Sequence, residues 1–155
     1  MSPESGLPET IAIASDHGGF ELKALLAEHL RAKGFKVLDL GTNSSEAVDY
    51  PDVAETLVGA FRAGGVKRGI LMCGTGIGIS IAANRHSEIR AALCHDVTTA
   101  RLSRQHNDAN VLVMGARTIG VEVAKDCLDT FLVTAFEGGR HARRVGKLGA
   151  RTPAC

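Results

Sequence analysis

Five short apolar runs, separated by segments whose apolar residues recur at helical spacing, constrain this chain more than any other feature of its sequence. The runs at 10–14, 36–40, 69–72, 90–93 and 111–114 read as strands. Between the first two, 20–33 reads as a helix with Leu22, Leu25, Leu26 and Leu30 on one face, and Gly34 ends it. Pro51, with its fixed φ, opens a helix to about 63 that Gly64-Gly65 closes. Further helices are expected from the glycine-rich 73–78 through 84, and over 97–106, 121–131 and 140–148.

Strands that alternate with helices pair in parallel, and the helices cover both faces of the sheet. The expected fold is therefore α/β: a single-domain, Rossmann-like three-layer αβα sandwich with a five-stranded parallel sheet. With 155 residues, a chain buries roughly 70% of the surface it would expose unfolded, enough for one proper core. There is no internal repeat and no low-complexity linker. The domain is expected over 10–149, with 1–9 a flexible N-terminal segment and 150–155 a C-terminal tail.

The charge balance narrows the partners. Eighteen basic and 17 acidic residues leave a formal net charge of +1, without the basic excess of a nucleic-acid surface. With no Trp and one Tyr, aromatic platforms for single strands are not expected either. Cys73, Cys94, Cys127 and Cys155 form no CxxC pair, so no zinc site or thioredoxin-like motif is indicated, and their scatter fits a reducing compartment. Residues 1–9 lack the basic start and apolar core of a signal peptide. No apolar run approaches the roughly 20 residues of a membrane span. The expectation is a cytoplasmic protein with neither a membrane nor a nucleic-acid partner.

In a doubly wound sheet, ligands bind beyond the carboxyl ends of the strands, near the point where strand order reverses. Ser15-Asp16-His17-Gly18-Gly19 follows the first strand, and Cys73-Gly74-Thr75-Gly76-Ile77-Gly78-Ile79-Ser80 follows the third. His95-Asp96 follows the fourth and Gly115-Ala116-Arg117 the fifth, while the helix between them ends in Arg104-Gln105-His106-Asn107-Asp108. Such a gathering of ionisable groups points to an active site.

Backbone N–H groups of Gly74, Gly76 and Gly78 can turn inward beside a helix N-terminus, which suits a phosphate or an enediolate oxygen. The spacing is GxGxG after the third strand, rather than the GxGxxG after a first strand that marks a dinucleotide site, and no Lys follows to make a P-loop. A bland role in turning and packing remains open for the three glycines. Cys73 stands at the lip of this loop beside a helix N-terminus, which favours a thiolate that could act as a base; a buried structural thiol is the alternative for any lone cysteine. Cys94 and Cys127 read as buried structural thiols.

Asp16 can serve the site or merely cap the helix after it, whereas His17 is suited to binding a phosphate. His106 and Asn107 form a polar pair at a helix end, where a histidine is also favoured by the dipole alone. Arg140 and Arg144, four residues apart on one helical face, make a clamp for a phosphate dianion; a merely solvated basic helix is the alternative, since Arg143 and Lys147 form a second pair.

Taken together, DHGG, the GT–SSE–VDYP segment, CGTGIGISIAAN, RLSRQHNDANVL, GAR and EGGRH resemble the type B ribose-5-phosphate isomerases in family order, over about 11–145. The galactose-6-phosphate isomerase subunits are similar to the same family. The resemblance implies an aldose–ketose isomerase without cofactor or metal, working through a cis-enediolate. Its substrate would be a sugar phosphate, ribose 5-phosphate before allose 6-, galactose 6- or a tetrose phosphate. It implies Cys73 as the base between carbons 2 and 1, His106 for ring opening with Asp16 assisting, and Thr75 beside the sugar. The amides of Gly74, Thr75, Gly76, Ile77 and Gly78, with Ser80, would hold the enediolate charge. Asn107 would bind a hydroxyl, and His17, Arg117, Arg140 and Arg144 the phosphate. One branch of the family uses a glutamate six positions after the cysteine position; here that residue is Ile79, which places the chain with the cysteine users. A homodimer or homotetramer with the site at the subunit interface is implied as well. A non-catalytic sugar-phosphate-binding protein is the remaining alternative.

Overall fold

In the computed structural model, which describes residues 6–149, all five expected strands form one parallel sheet. The order along the chain is β1 (Thr10–Ser15), α1 (Phe20–Ala32), β2 (Lys36–Asp39), α2 (Tyr50–Ala63), β3 (Arg68–Cys73) and α3 (Ile77–Ala83). There follow β4 (Ala91–Leu93), α4 (Val97–Asn107), β5 (Val111–Gly115), α5 (Val121–Val133) and α6 (Arg140–Gly149). The boundaries shift by a residue or two from those expected, the usual scatter of helix and strand ends. Cys155 and the tail at 150–155 lie outside the described residues.

The two-residue period of the strands sorts their side chains into two cores. Ile11 and Ile13 of β1, Ile70 and Met72 of β3 and Leu112 and Met114 of β5 face α1, α4 and α5. Ala12, Ala14, Leu71, Cys73, Val111 and Val113 face α2 and α3. The three-layer sandwich follows, with a core on each side of the sheet. Small residues let α2 come close: a Cβ on Gly69 would lie 3.0 Å from Leu57 Cδ1.

On α1, Leu22, Leu26 and Leu30 are buried as expected, but Leu25 is 47% exposed. It falls off the i, i+4 row that faces the sheet. Lys23 takes the inward place instead, 1% exposed, with Nζ donating to Asp39 Oδ1 and Oδ2 at 2.8 and 2.7 Å and to Asn43 Oδ1 at 2.7 Å. Burial works to raise the Asp39 carboxyl, but the Lys23 ammonium and the Gly41 N–H override it and hold the group below its ordinary value. The ammonium thereby ties the start of α1 to the end of β2.

Strand order is β2-β1-β3-β5-β4. The chain leaves β1 towards one edge and one face, through α1 to β2. It leaves β3 on the other face, through α3 towards the other edge. The carboxyl ends of β1 and β3 are thus the switch point, the place where such sheets bind ligands. Among the described residues, no helix is long and apolar enough to cross a membrane.

Candidate active site

Parallel pairing sets the residues at the switch point side by side. Ser15 is in register with Met72, and Cys73 with Gly115. Asp16 N–H donates to the Met72 carbonyl, Ala116 N–H to that of Cys73 and Arg117 N–H to that of Gly74. Three consecutive loops therefore leave the sheet already tied to one another.

Cys73 is 5% exposed, and its Sγ accepts the Gly76 N–H at 3.1 Å. That bond needs the loop to fold back on itself within three residues, which Gly76 permits with φ +77°. A Cβ there would also meet the backbone of Met114 at 2.9 Å and Leu93 Cδ1 at 2.5 Å. The neighbouring glycines admit side chains from elsewhere: the Arg117 guanidinium lies 3.4 Å from where a Gly74 Cβ would be, and the Tyr50 ring lies against Gly78. All three glycines thus have a packing reason, and the loop they make presents its amides at the start of α3. Thr75 Oγ1 accepts the Ile77 N–H at 3.2 Å, and Ser80 Oγ donates to the Ile77 carbonyl at 2.7 Å.

Asp16 does not cap α1. Its Oδ1 accepts the Gly18 N–H at 2.9 Å, and the N-cap, Gly19, has no side-chain bond. The carboxylate is 7% exposed and sits beside Gly74: a Cβ on Gly18 would lie 3.3 Å from both Asp16 Oδ1 and Gly74 N. His17 Nδ1 accepts the Val48 N–H at 3.2 Å, so in the neutral ring Nε2 carries the proton and is a donor. Asp96, by contrast, caps α4 through the Thr99 N–H at 2.7 Å.

The remaining expected residues lie elsewhere. Helix α4 runs back across the sheet, so His106 and Asn107 stand at the amino edge, by the start of β5, with Arg140 and Arg144 on the adjoining α6. The length of β3 separates that edge from Cys73 by roughly 16 Å, at about 3.3 Å per residue. Within one chain, then, Asp16, His17, Cys73, Gly74 and Arg117 come together, and His106, Asn107 and the α6 arginines form a second group. Reading the end of α4 with the strand ends merged two edges of the sheet.

This second group is firmly built. Asp108 adopts the left-handed conformation (φ 46°) that stops α4. Arg104 Nη1 donates to Asp108 Oδ1 at 2.9 Å and to the Ala109 carbonyl at 2.7 Å, while its guanidinium covers the Phe131 ring. His106 stacks on His141, with ring centroids 4.4 Å apart. Burial, then His106 and Arg140, hold the His141 ring below its ordinary value. Tyr50, Arg104, Glu137 and His141 were not singled out from sequence, although VDYP, RLSRQHN and EGGRH contain them. Among the described residues the other two thiols, Cys94 and Cys127, are buried. Burial pushes Cys94 up, and burial with Cys94 and nearby carboxylates pushes Cys127 up to about 11.

Fold and site define a doubly wound α/β protein with a glycine-rich loop, a free cysteine and basic side chains at its switch point. Residues 11–148 match the ribose/galactose isomerase family, and the chain belongs to that family of sugar-phosphate isomerases. It is 50% identical to ribose-5-phosphate isomerase B of Escherichia coli over 140 residues, 90% of this chain and 94% of that one. It is 45% identical to D-erythrulose-4-phosphate isomerase of Pectobacterium atrosepticum over 141 residues, 90% and 93% of the two chains. The solved ribose 5-phosphate isomerase of Thermotoga maritima superposes with a TM-score of 0.88 at 53% identity, covering 91% of this chain and 97% of that one.

Proposed function

We propose that this chain interconverts ribose 5-phosphate and ribulose 5-phosphate, in sites that each combine the switch-point crevice of one copy with the α4–α6 edge of another. The observation that carries the reading is Cys73, seated at the switch point with its sulfur accepting the Gly76 N–H in the glycine loop.

His106 of the second copy protonates the ring oxygen as the furanose opens, and Asp16 assists at the hydroxyl. The Cys73 thiolate then takes the proton from carbon 2 of the open aldose. Electrons move into the carbon 1–carbon 2 bond and onto the carbonyl oxygen. The amides from Gly74 to Gly78 are fixed before that charge appears, the condition under which such donors stabilise it most. The thiol returns the proton to carbon 1, the proton of the carbon 2 hydroxyl passes to the carbon 1 oxygen, and the ketose results. Thr75 and Asn107 hold sugar hydroxyls. His17 Nε2–H, Arg117, and Arg140 and Arg144 of the second copy hold the phosphate, whose binding energy orients carbons 1 and 2 against the sulfur.

Two features support a second copy. The proposed acid/base residues lie at opposite edges of one sheet, and α3 next to the glycine loop exposes Ile77 and Ile81, 53% and 54%, on one face. A tetrose phosphate is a second reading, favoured by the similarity to the erythrulose-4-phosphate isomerase. Turnover by EDTA-treated protein of ribose 5-phosphate alongside erythrose 4-, allose 6- and galactose 6-phosphates tests both. Preference for ribose 5-phosphate is expected; a preference for the tetrose keeps the chemistry and changes the substrate, and turnover of none removes the enzymatic reading.

A further inference from the structure

His106, Glu137 and His141 offer two imidazoles and a carboxylate whose ligand atoms all lie within 4.8 Å of one another. Their placement is built into the chain. Gly138 and Gly139 both take positive φ, 69° and 58°, and fold the chain so that Glu137 and His141 meet the end of α4. The Glu137 N–H donates to the Gln105 carbonyl and the His141 N–H to that of Gly138, which fastens the turn. A second observation is independent of this clustering. His141 is 7% exposed, and its buried Nε2 has no hydrogen-bond partner among the described residues.

We propose that His106, Glu137 and His141 form a site for a borderline divalent transition ion of the zinc type, and that its occupation switches the isomerase off. Two imidazoles and one carboxylate suit Zn2+ or Co2+ rather than Mg2+ or Ca2+, which prefer oxygen throughout. Metal–nitrogen bonds of about 2.0–2.1 Å require the ligand atoms to close to roughly 3–3.5 Å from one another. The exposed Glu137 and the partly exposed His106 have the freedom to do so, with water completing the tetrahedron. A ring nitrogen of His106 bound to the ion no longer moves a proton. Arg140 beside the site opposes a cation, so micromolar rather than tighter affinity is expected. The inhibitory half rests on the role proposed for His106; the site itself does not.

Co2+ titration of the EDTA-treated protein tests the site, followed by visible absorption. One ion per chain is expected, with intense d–d bands of tetrahedral nitrogen and oxygen ligation and no sulfur-to-cobalt charge-transfer band. Glu137→Gln and His141→Gln should each weaken binding at least tenfold, with the fold checked by circular dichroism. No uptake, uptake indifferent to both substitutions, or a charge-transfer band that reports cysteine ligation would overturn the site. Zn2+ should also inhibit wild-type turnover, reversibly with EDTA, and Glu137→Gln should escape it at unchanged basal rate. Site-specific uptake without inhibition would overturn the switch and the role given to His106, while leaving the metal site standing.

Discussion

At the scale of single residues, environment divides the three chemically identical thiols among the described residues. Cys73 ends β3 beside a backbone donor and an amide-lined loop. Cys94 and Cys127 are buried in the opposite core, where the thiolate is disfavoured. Cys73→Ala is expected to lower kcat by about 10²–10⁴-fold with a small change in KM, the pattern for a group that acts in the transition state. Near-normal steady-state turnover in that variant would remove the thiol from the mechanism. Iodoacetamide at pH 8 should leave the Cys94 and Cys127 peptides of the native protein unmodified by mass spectrometry, while ribose 5-phosphate slows modification of Cys73. Rapid labelling of either buried thiol would contradict the account of their burial.

At the scale of elements, the connection between α1 and β2 depends on a buried ammonium. Replacing Asp39 by Asn removes the carboxylate partner of Lys23 and leaves its ammonium with neutral oxygens such as that of Asn43. With Asp39 itself partly exposed, the cost should fall below the about 3–5 kcal/mol of a fully buried pair. Lys23→Met with Asp39→Asn should be markedly less damaging than Asp39→Asn alone, which a double-mutant cycle of urea melts would detect. Because the folded Asp39 carboxyl lies below its unfolded value of 3.8, its contribution is present above that pH and is lost as pH falls through the folded value. The melting temperature of the wild type should therefore drop below about pH 4 more steeply than that of the double variant.

Much of this level is legible in the sequence. Short apolar runs and period-3.6 patterning foretell five strands and six helices, and the glycines and Pro51 mark several of their ends. Lys23 escapes such reading because a buried lysine and a solvated one look alike on a helix; only Asp39 and Asn43, brought in by β2, distinguish them. Leu25 is misassigned for the same reason, since spacing reports a face but not how wide the contact is. The glycine loop, Asp16 and His17 are legible because each directly follows a strand. His106 is not, in the sense of place: its helix carries it to the other edge, and the stack with His141 joins residues thirty-five positions apart, with the whole of α5 between them in the chain.

At the scale of the whole molecule, the parallel sheet imposes a division of labour. Every strand delivers its carboxyl end to one edge, and every crossover helix delivers its own end to the other. Cys73 and His106, the residues proposed for proton abstraction and for protonating the ring oxygen, consequently stand apart within a chain, and a symmetric pair of copies can bring each crevice against the other's α4–α6 edge. In that arrangement, Cys73→Ala and His106→Asn damage different halves of the same site. A dimer containing one of each variant has one site with both lesions and one with neither.

The most direct test is to unfold the two inactive variants together, refold them, and measure turnover of ribose 5-phosphate. The account predicts recovery of activity towards about one quarter of the wild-type sites for random pairing. If each variant is inactive alone and the mixture stays inactive although mixed oligomers form, Cys73 and His106 do not meet across a subunit boundary, and the composite site is wrong.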